Sequence, residues 1–257
     1  MSYETAEGVR RSDLWVINKS PLHFRYHMEH RNETSTQALT FGRAVHKYIL
    51  EQEQFYDEFT VCPEINRRTK EGREQWQFEL DYAEEHGLTI ITAADKVTIN
   101  EIREALLHNE QATKLLAGEH EKEFYWHDDL TGEKCKCKVD CVTEYDGKPY
   151  IVDYKTVTSC DDGAFERDAR KYGYQFQAGM YCEGAFQNTF VEHGFAFVAQ
   201  EKTAPYAARV YVCDPEWIKR GYDKFRELIG IYHDCRETGR WYGYEGRDGL
   251  PVELVEG

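Results

Sequence analysis

The segment KCKCKVDCVTEYDGKPYIVDYKT, residues 134–156, decides the fold. Cys135, Cys137, Val139 and Cys141 alternate with Lys134, Lys136, Lys138 and Asp140. A strand with one apolar and one polar face imposes that period of two. Asp146-Gly147 supplies a hairpin turn, because both residues tolerate positive φ. Pro149 to Val157 is rich in β-branched and aromatic residues and reads as the return strand. Within it Asp153 and Lys155 are two apart and share a face, with Tyr154 on the other. A register that sets Asp140 opposite that face gathers two carboxylates and an ammonium on one hairpin.

That trio suits metal-assisted cleavage of a phosphodiester. A hard cation such as Mg²⁺ takes oxygen ligands and keeps several waters, so one or two carboxylates plus a substrate phosphate suffice. The ion polarises the phosphoryl oxygen and acidifies a bound water. A lysine beside that water offsets charge building on the phosphate. On its own, Asp-x-Lys is equally an exposed ion pair worth little, so the rest of the chain must decide.

At 257 residues the chain can bury a proper core and reads as a single domain over 1–257. Its parts are a helical region over about 12–117, a sheet-containing core over about 120–235 and an irregular tail over 238–257. No apolar run approaches the roughly 18 residues of a membrane helix, and the first residues lack a signal-peptide core, so a soluble, cytoplasmic protein is expected. The eight cysteines contain no Cys-x-x-Cys pair. They read as reduced core residues rather than zinc ligands. A net charge of −15 excludes a generally sticky nucleic-acid binder. Arg67, Arg68, Lys70 and Arg73 form a local basic cluster that suits phosphate contact or a solvated loop equally well.

Helices are predicted over 12–17, 21–29 after the Ser20 cap, 36–51, 71–86 closed by Gly87, and 94–117 as one element or two. A strand over 120–127 precedes the hairpin. Helices over 161–171 and 174–186, strands over 189–200 and 206–213, and a helix over 216–237 capped by Asp214-Pro215 complete the order. This predicts an α/β fold with a central mixed sheet flanked by helices.

Four separated pieces sharpen the picture: Gly42-x-x-x-His46 on a helix, Asp140 on a strand, Asp153-Tyr154-Lys155 on the next, and Gln177-Ala178-Gly179-Met180-Tyr181 on the helix that follows. Together, from Ser20 to Cys235, they resemble the PD-(D/E)XK nuclease superfamily, in its RecB-like branch and its RecE-like phage and prophage exonucleases. The resemblance implies metal ligation by His46, Asp140, Asp153 and the Tyr154 backbone carbonyl, with Lys155 activating water. Gln177 and Tyr181, i and i+4 on one helix face, would support the site. Glu123, on the strand before the hairpin, would hold a second metal or orient a water. Arg43 would bind a terminal phosphate, and Arg67, Arg68, Lys70 and Arg73 would touch DNA.

The expected cofactor is Mg²⁺, with Mn²⁺ able to replace it. The implied activity is degradation of one strand of linear duplex DNA, 5′ to 3′, giving 3′ single strands for recombination in a bacterial host. The implied partners are duplex DNA with free ends, a single-strand annealing protein and further copies of the chain in a closed ring. Val139 stands where the superfamily has a proline, and the second acid is Asp rather than Glu. The late cysteines Cys213 and Cys235 are too far apart in sequence to suggest an iron–sulfur cluster. Two alternatives stay open: a structure-selective or CRISPR-adaptation nuclease, and a non-catalytic binding protein on a nuclease scaffold.

Overall fold

In a computed structural model, residues 3–30 and 36–246 are described. The elements are α1 (Arg11–Ile17), α2 (Pro21–Glu29), α3 (Gln37–Leu50), α4 (Phe55–Glu58), β1 (Phe59–Cys62), α5 (Lys70–His86), β2 (Thr89–Thr92), α6 (Ala93–Leu107) and α7 (Glu110–Leu115). There follow β3 (Glu119–His127), β4 (Lys134–Tyr145), β5 (Lys148–Val157), α8 (Asp162–Tyr172), α9 (Tyr174–Thr189), β6 (Gly194–Glu201), β7 (Ala208–Val212) and α10 (Pro215–Thr238). The caps explain several boundaries. Ser20, Thr36 and Thr69 accept backbone N–H groups at the starts of α2, α3 and α5, and Gly87 closes α5 at φ 65°.

The five-stranded sheet runs β3-β4-β5-β6-β7, with β5 and β6 parallel and the other neighbours antiparallel. A parallel pair needs a long crossover, which α8 and α9 provide. The α/β fold with a central mixed sheet is therefore present. Its faces carry two apolar layers, read directly along β6: Phe195, Phe197 and Ala199 pack on one side with α1, α2, α9 and α10, while Ala196 and Val198 pack on the other with α3, α6 and α7.

The helical stretch over 94–117, expected as one element or two, is two helices, broken where Asn109 caps α7. The structure departs from the sequence-based expectation in three places. The N-terminal region is not purely helical, because β1 and β2 form a small parallel ladder there. The strand expected from Thr189 begins only at Gly194, because Asn188 and Thr189 bond back to Gly184 and Ala185 and prolong α9. Cys141 does not share a face with Cys135, Cys137 and Val139; it packs in the opposite layer.

The displaced cysteine marks the feature that makes the site. β4 and β5 are paired from Tyr145↔Lys148 to Cys141↔Val152 and then separate. The next pair in register would be Asp140 with Asp153. Instead, Asp140 Oδ2 accepts the Tyr154 N–H at 2.7 Å, so a side chain stands in for a backbone acceptor at a fork in the sheet. On the other side, Glu121 in β3 adopts φ 54° opposite the same point, and the strand alternation changes phase there. The β4 edge left open beyond the fork bonds to the N-terminal segment, Val9 N to Lys134 O and Lys136 N to Val9 O. Trp241, in the irregular stretch after α10, stacks on Phe24. Tyr242 O accepts the Leu22 N–H and Tyr244 lies against His23; residues 247–257 lie outside the described residues.

Candidate active site

Five elements, α3, β3, β4, β5 and α9, deliver side chains to the fork. α3 buries Ala44, Val45 and Leu50, which leaves His46 at the margin of the buried stripe. Its Nε2 lies 3.0 Å from Asp140 Oδ2 and its Nδ1 3.7 Å from Glu121 Oε1. β5 delivers Asp153 and Lys155 on one face, with Lys155 Nζ 2.6 Å from Asp153 Oδ2. Beyond this ion pair the buried Asp153 Oδ2 has no hydrogen-bond partner. From α9, Gln177 Nε2 donates to Asp153 Oδ1. Tyr154 points into the opposite layer, where its hydroxyl donates to Gln200 Oε1 at 2.7 Å. Gln200 in turn bonds Ile102 O and Tyr206 O. This buried, satisfied network fixes the strand that carries Asp153 and Lys155.

A cavity of about 340 Å³ opens on this cluster, lined by His46, Asp140, Asp153, Lys155, Gln177 and Tyr181. Burial opposes the charge on His46, but Asp140, Glu121 and Asp153 outweigh it and hold its pKa above the ordinary value. Burial likewise opposes the charge on Asp140, yet His46, Lys155 and the Tyr154 N–H hold its pKa down. Asp153 goes the other way: burial, with Asp140 alongside, pushes it up to about 6 despite Lys155. Burial pushes the Tyr181 phenol well above its ordinary value, so it stays protonated and can donate.

The donor set suits a hard divalent cation. Ligand atoms of His46, Glu121 and Asp140 lie within 4.8 Å of one another, and the buried Asp153 Oδ2 beside them has no hydrogen-bond partner beyond its ion pair. The carboxylate oxygens suit a hard cation, and the single imidazole also admits a borderline one. Such a charge would also relieve the crowding of acids that raises Asp153.

Glu123 does not reach the site. It is exposed and accepts the Tyr125 hydroxyl at 2.6 Å. Its place is taken by Glu121, which the left-handed φ turns toward His46 and which also pairs with Lys138. The Glu-x-Glu-x-Glu run over residues 119–123 was the available signal, but alternation cannot choose among its members. Arg43 is exposed, its guanidinium 6.0 Å from the Phe59 ring, and it does not line the cavity. Neither do Arg67, Arg68, Lys70 and Arg73, which belong to α5 and the turn before it; Arg67 lies 3.6 Å from the Trp76 ring centre. Cys135, Cys137 and Cys141 are buried free thiols of the core. A larger hollow of about 960 Å³ between α9, α10 and the start of β6 contains none of the site residues.

The assignment of Glu121 over Glu123 has a direct test. Glu121→Gln is expected to weaken Mn²⁺ binding by about ten-fold, the loss of one charged ligand. Glu123→Gln should leave it unchanged, with both affinities read by calorimetric titration.

A mixed sheet with the Asp/Asp-x-Lys set at a strand fork and a helix-borne Gln against it defines a protein of the PD-(D/E)XK class. The chain belongs to the family described as a PDDEXK-like domain of unknown function, DUF3799, which matches residues 11–247. Among solved structures it is similar to a protein of Eubacterium rectale titled "Putative exonuclease", with a TM-score of 0.62 and 17% identity over 100% of this chain and 96% of that one. A second, the crystal structure of SSO0001, has a TM-score of 0.31 and 16% identity over 72% of this chain and 85% of that one, too distant to inform the fold. No curated protein matches the sequence. No helix among the described residues is long and apolar enough to cross a membrane.

Proposed function

We propose that this chain is a divalent-metal-dependent deoxyribonuclease that degrades one strand of linear duplex DNA from its ends, 5′ to 3′, leaving 3′ single strands for recombination. One observation carries the nuclease reading: Asp153, held by Gln177 and Lys155, meets Asp140 and His46 at the fork of β4 and β5. The family and the fold support the same class. Choice of an exonuclease with this polarity follows the RecE-like resemblance, as do the ring, the annealing partner and the bacterial cytoplasm.

His46, Asp140, Asp153 and Glu121 would hold the cation, Mg²⁺ or Mn²⁺, with the Tyr154 carbonyl as a further oxygen. When bound, it would polarise the phosphoryl oxygen and acidify a water. Lys155 orients the attacking water and offsets charge gathering on the phosphate. Gln177 fixes the rotamer of Asp153 through Oδ1, which leaves Oδ2 to Lys155 and the cavity. Tyr181 offers a proton donor for a strand oxygen. The basic cluster of Arg67, Arg68, Lys70 and Arg73 sits near exposed Phe78 and Tyr82 on α5, a combination suited to a single strand leaving the site.

End-labelled linear duplex, with and without a 5′-phosphate, and a covalently closed circle of the same sequence test the activity in Mg²⁺. The expected result is release of label from linear DNA with the circle intact. Nicking of the circle would replace the exonuclease with a structure-selective or endonucleolytic enzyme. No cleavage of either in Mg²⁺ or Mn²⁺ would leave a non-catalytic scaffold.

A further inference from the structure

The segment before α1 is built into the cavity rather than laid over it. Gly8 adopts φ 134°, a conformation that L side chains rarely take, and an added Cβ would press on the Cys135 backbone at 3.2 Å. This turn lets Val9 bond along the open edge of β4. Lys136, buried, clamps the same segment by donating to Tyr3 O and Ala6 O at 2.6 Å each. The next three residues, Arg10, Arg11 and Ser12, then line the cavity that holds Asp153 and Lys155.

The two arginines are partnered differently. Arg10 pairs with Glu4 at 2.8 Å and with Asp13 at 3.4 Å. Arg11 gives one nitrogen to Tyr172 O, while its Nε is buried without a hydrogen-bond partner. Among the described residues it makes no ion pair with a carboxylate; the phenols of Tyr181 and Tyr174 beside it stay protonated, and the carboxylate it feels is Asp153. Burial pushes its pKa down, the mark of a cation short of counter-charge. Buried donors in folded proteins are seldom left open without a ligand or functional reason.

We propose that Arg11 grips a phosphate of the substrate strand inside the cavity it lines, using the guanidinium N–H groups that Tyr172 O does not take. The planar fork fits phosphate oxygens as no lysine does. This rests on the nuclease reading above. The phosphate is either the one being cleaved or a 5′-terminal one; both present the same oxygens to the same donor.

Arg11→Gln and Arg11→Lys in the full chain test the proposal. Binding to 5′-phosphorylated and 5′-hydroxyl duplexes is followed by fluorescence anisotropy in Ca²⁺, with a Mn²⁺ titration to report on the metal ligands. Arg11→Gln is expected to bind at least about ten-fold more weakly, the loss of a charge-assisted hydrogen bond. Arg11→Lys should recover part of the loss, and Mn²⁺ affinity should stay within about two-fold, since Arg11 is no ligand. Weakening on both duplexes assigns an internal phosphate, and weakening on the phosphorylated one alone assigns the terminal phosphate. Unchanged binding of both duplexes overturns the inference and leaves the nuclease reading standing. If the unsubstituted protein binds neither duplex, that reading falls and takes this one with it. Should Arg11→Gln melt early, Arg11→Lys decides by the same criteria, since lysine can still donate to Tyr172 O.

Discussion

Asp153→Asn is expected to remove metal-dependent cleavage, by roughly 10³-fold or more, and to leave the metal-free protein at least as stable as before. The first half follows from charge. Asparagine keeps the shape but offers a neutral oxygen where a cation needs an anion, and several kcal/mol of electrostatic stabilisation of the transition state convert to that factor. The second half follows from the direction of the pKa shift. Asp153 rises to about 6, so its charged form is disfavoured in the metal-free fold. Between the ordinary carboxylate pKa and that value the folded state binds more protons than the unfolded chain, so this group's contribution to stability is lost as pH rises through the interval. Removing the charge removes that loss.

The melting temperature of Asp153→Asn relative to the unsubstituted protein, in EDTA, should therefore climb between pH 5 and pH 7.5. The depressed Asp140 does not mimic this difference, because it loses its contribution only on acidification. The raised His46 loses its contribution as pH rises in both proteins, and because Asp153 helps to raise it, its share falls in Asp153→Asn and opposes the climb. A variant that is less stable at pH 7.5 than at pH 5, relative to its parent, would show that Lys155 and Gln177 satisfy the carboxylate in full. Cleavage at the unsubstituted rate would remove Asp153 from the chemistry altogether. A residue that costs stability in the empty site and is needed in the loaded one is the trade expected of a functional carboxylate.

How far such a site can be read from sequence depends on which physics places each residue. Asp153 and Lys155 were legible because a strand has one period, and Gln177 and Tyr181 because a helix has another. His46 was legible only through the motif around it, since nothing in α3 itself distinguishes a ligand from a histidine at the edge of a buried stripe. Glu121 was not legible: it reaches His46 through a left-handed backbone step that breaks the alternation on which a sequence reading depends. The same break moved Cys141 to the opposite layer. Arg11 was hidden for a different reason. Its place is set by the β4 edge more than a hundred residues later in the chain, through Val9 and Lys136, and no local pattern encodes a contact of that separation. The short β1–β2 ladder is hidden likewise, because four-residue parallel strands carry too little pattern to stand out between long helices.

The helix that holds Gln177 is itself held by a contact between backbones, and this yields the largest expected effect on stability. Within the Gln-x-x-x-Tyr motif, Gly179 faces Gly221 of α10 so closely that an added Cβ would fall 2.0 Å from Tyr222 N. The reverse substitution fares no better, since a Cβ on Gly221 would fall 1.9 Å from Gln175 O. Neither obstacle is the end of a flexible side chain, so α9 and α10 must separate. Overpacking of this kind costs about 3 kcal/mol at the upper end of its usual range, only partly offset by the helix preference of alanine, about 1 kcal/mol. Gly179→Ala should therefore lower the melting temperature by roughly 4–8 °C. It should also depress cleavage in the surviving folded protein, because displacing α9 draws Gln177 away from Asp153. Gly230→Ala on α10 is the matched control. It makes the same chemical change on a helix with nothing within 4 Å of the new methyl, and is expected to raise stability by up to about 1 kcal/mol. Thermal and urea melts of the two variants separate the explanations. Equal shifts would mean that glycine matters here only through chain entropy. Opposite shifts, with loss of cleavage confined to Gly179→Ala, would show that the small side chain in the motif is there to let α10 press Gln177 onto Asp153.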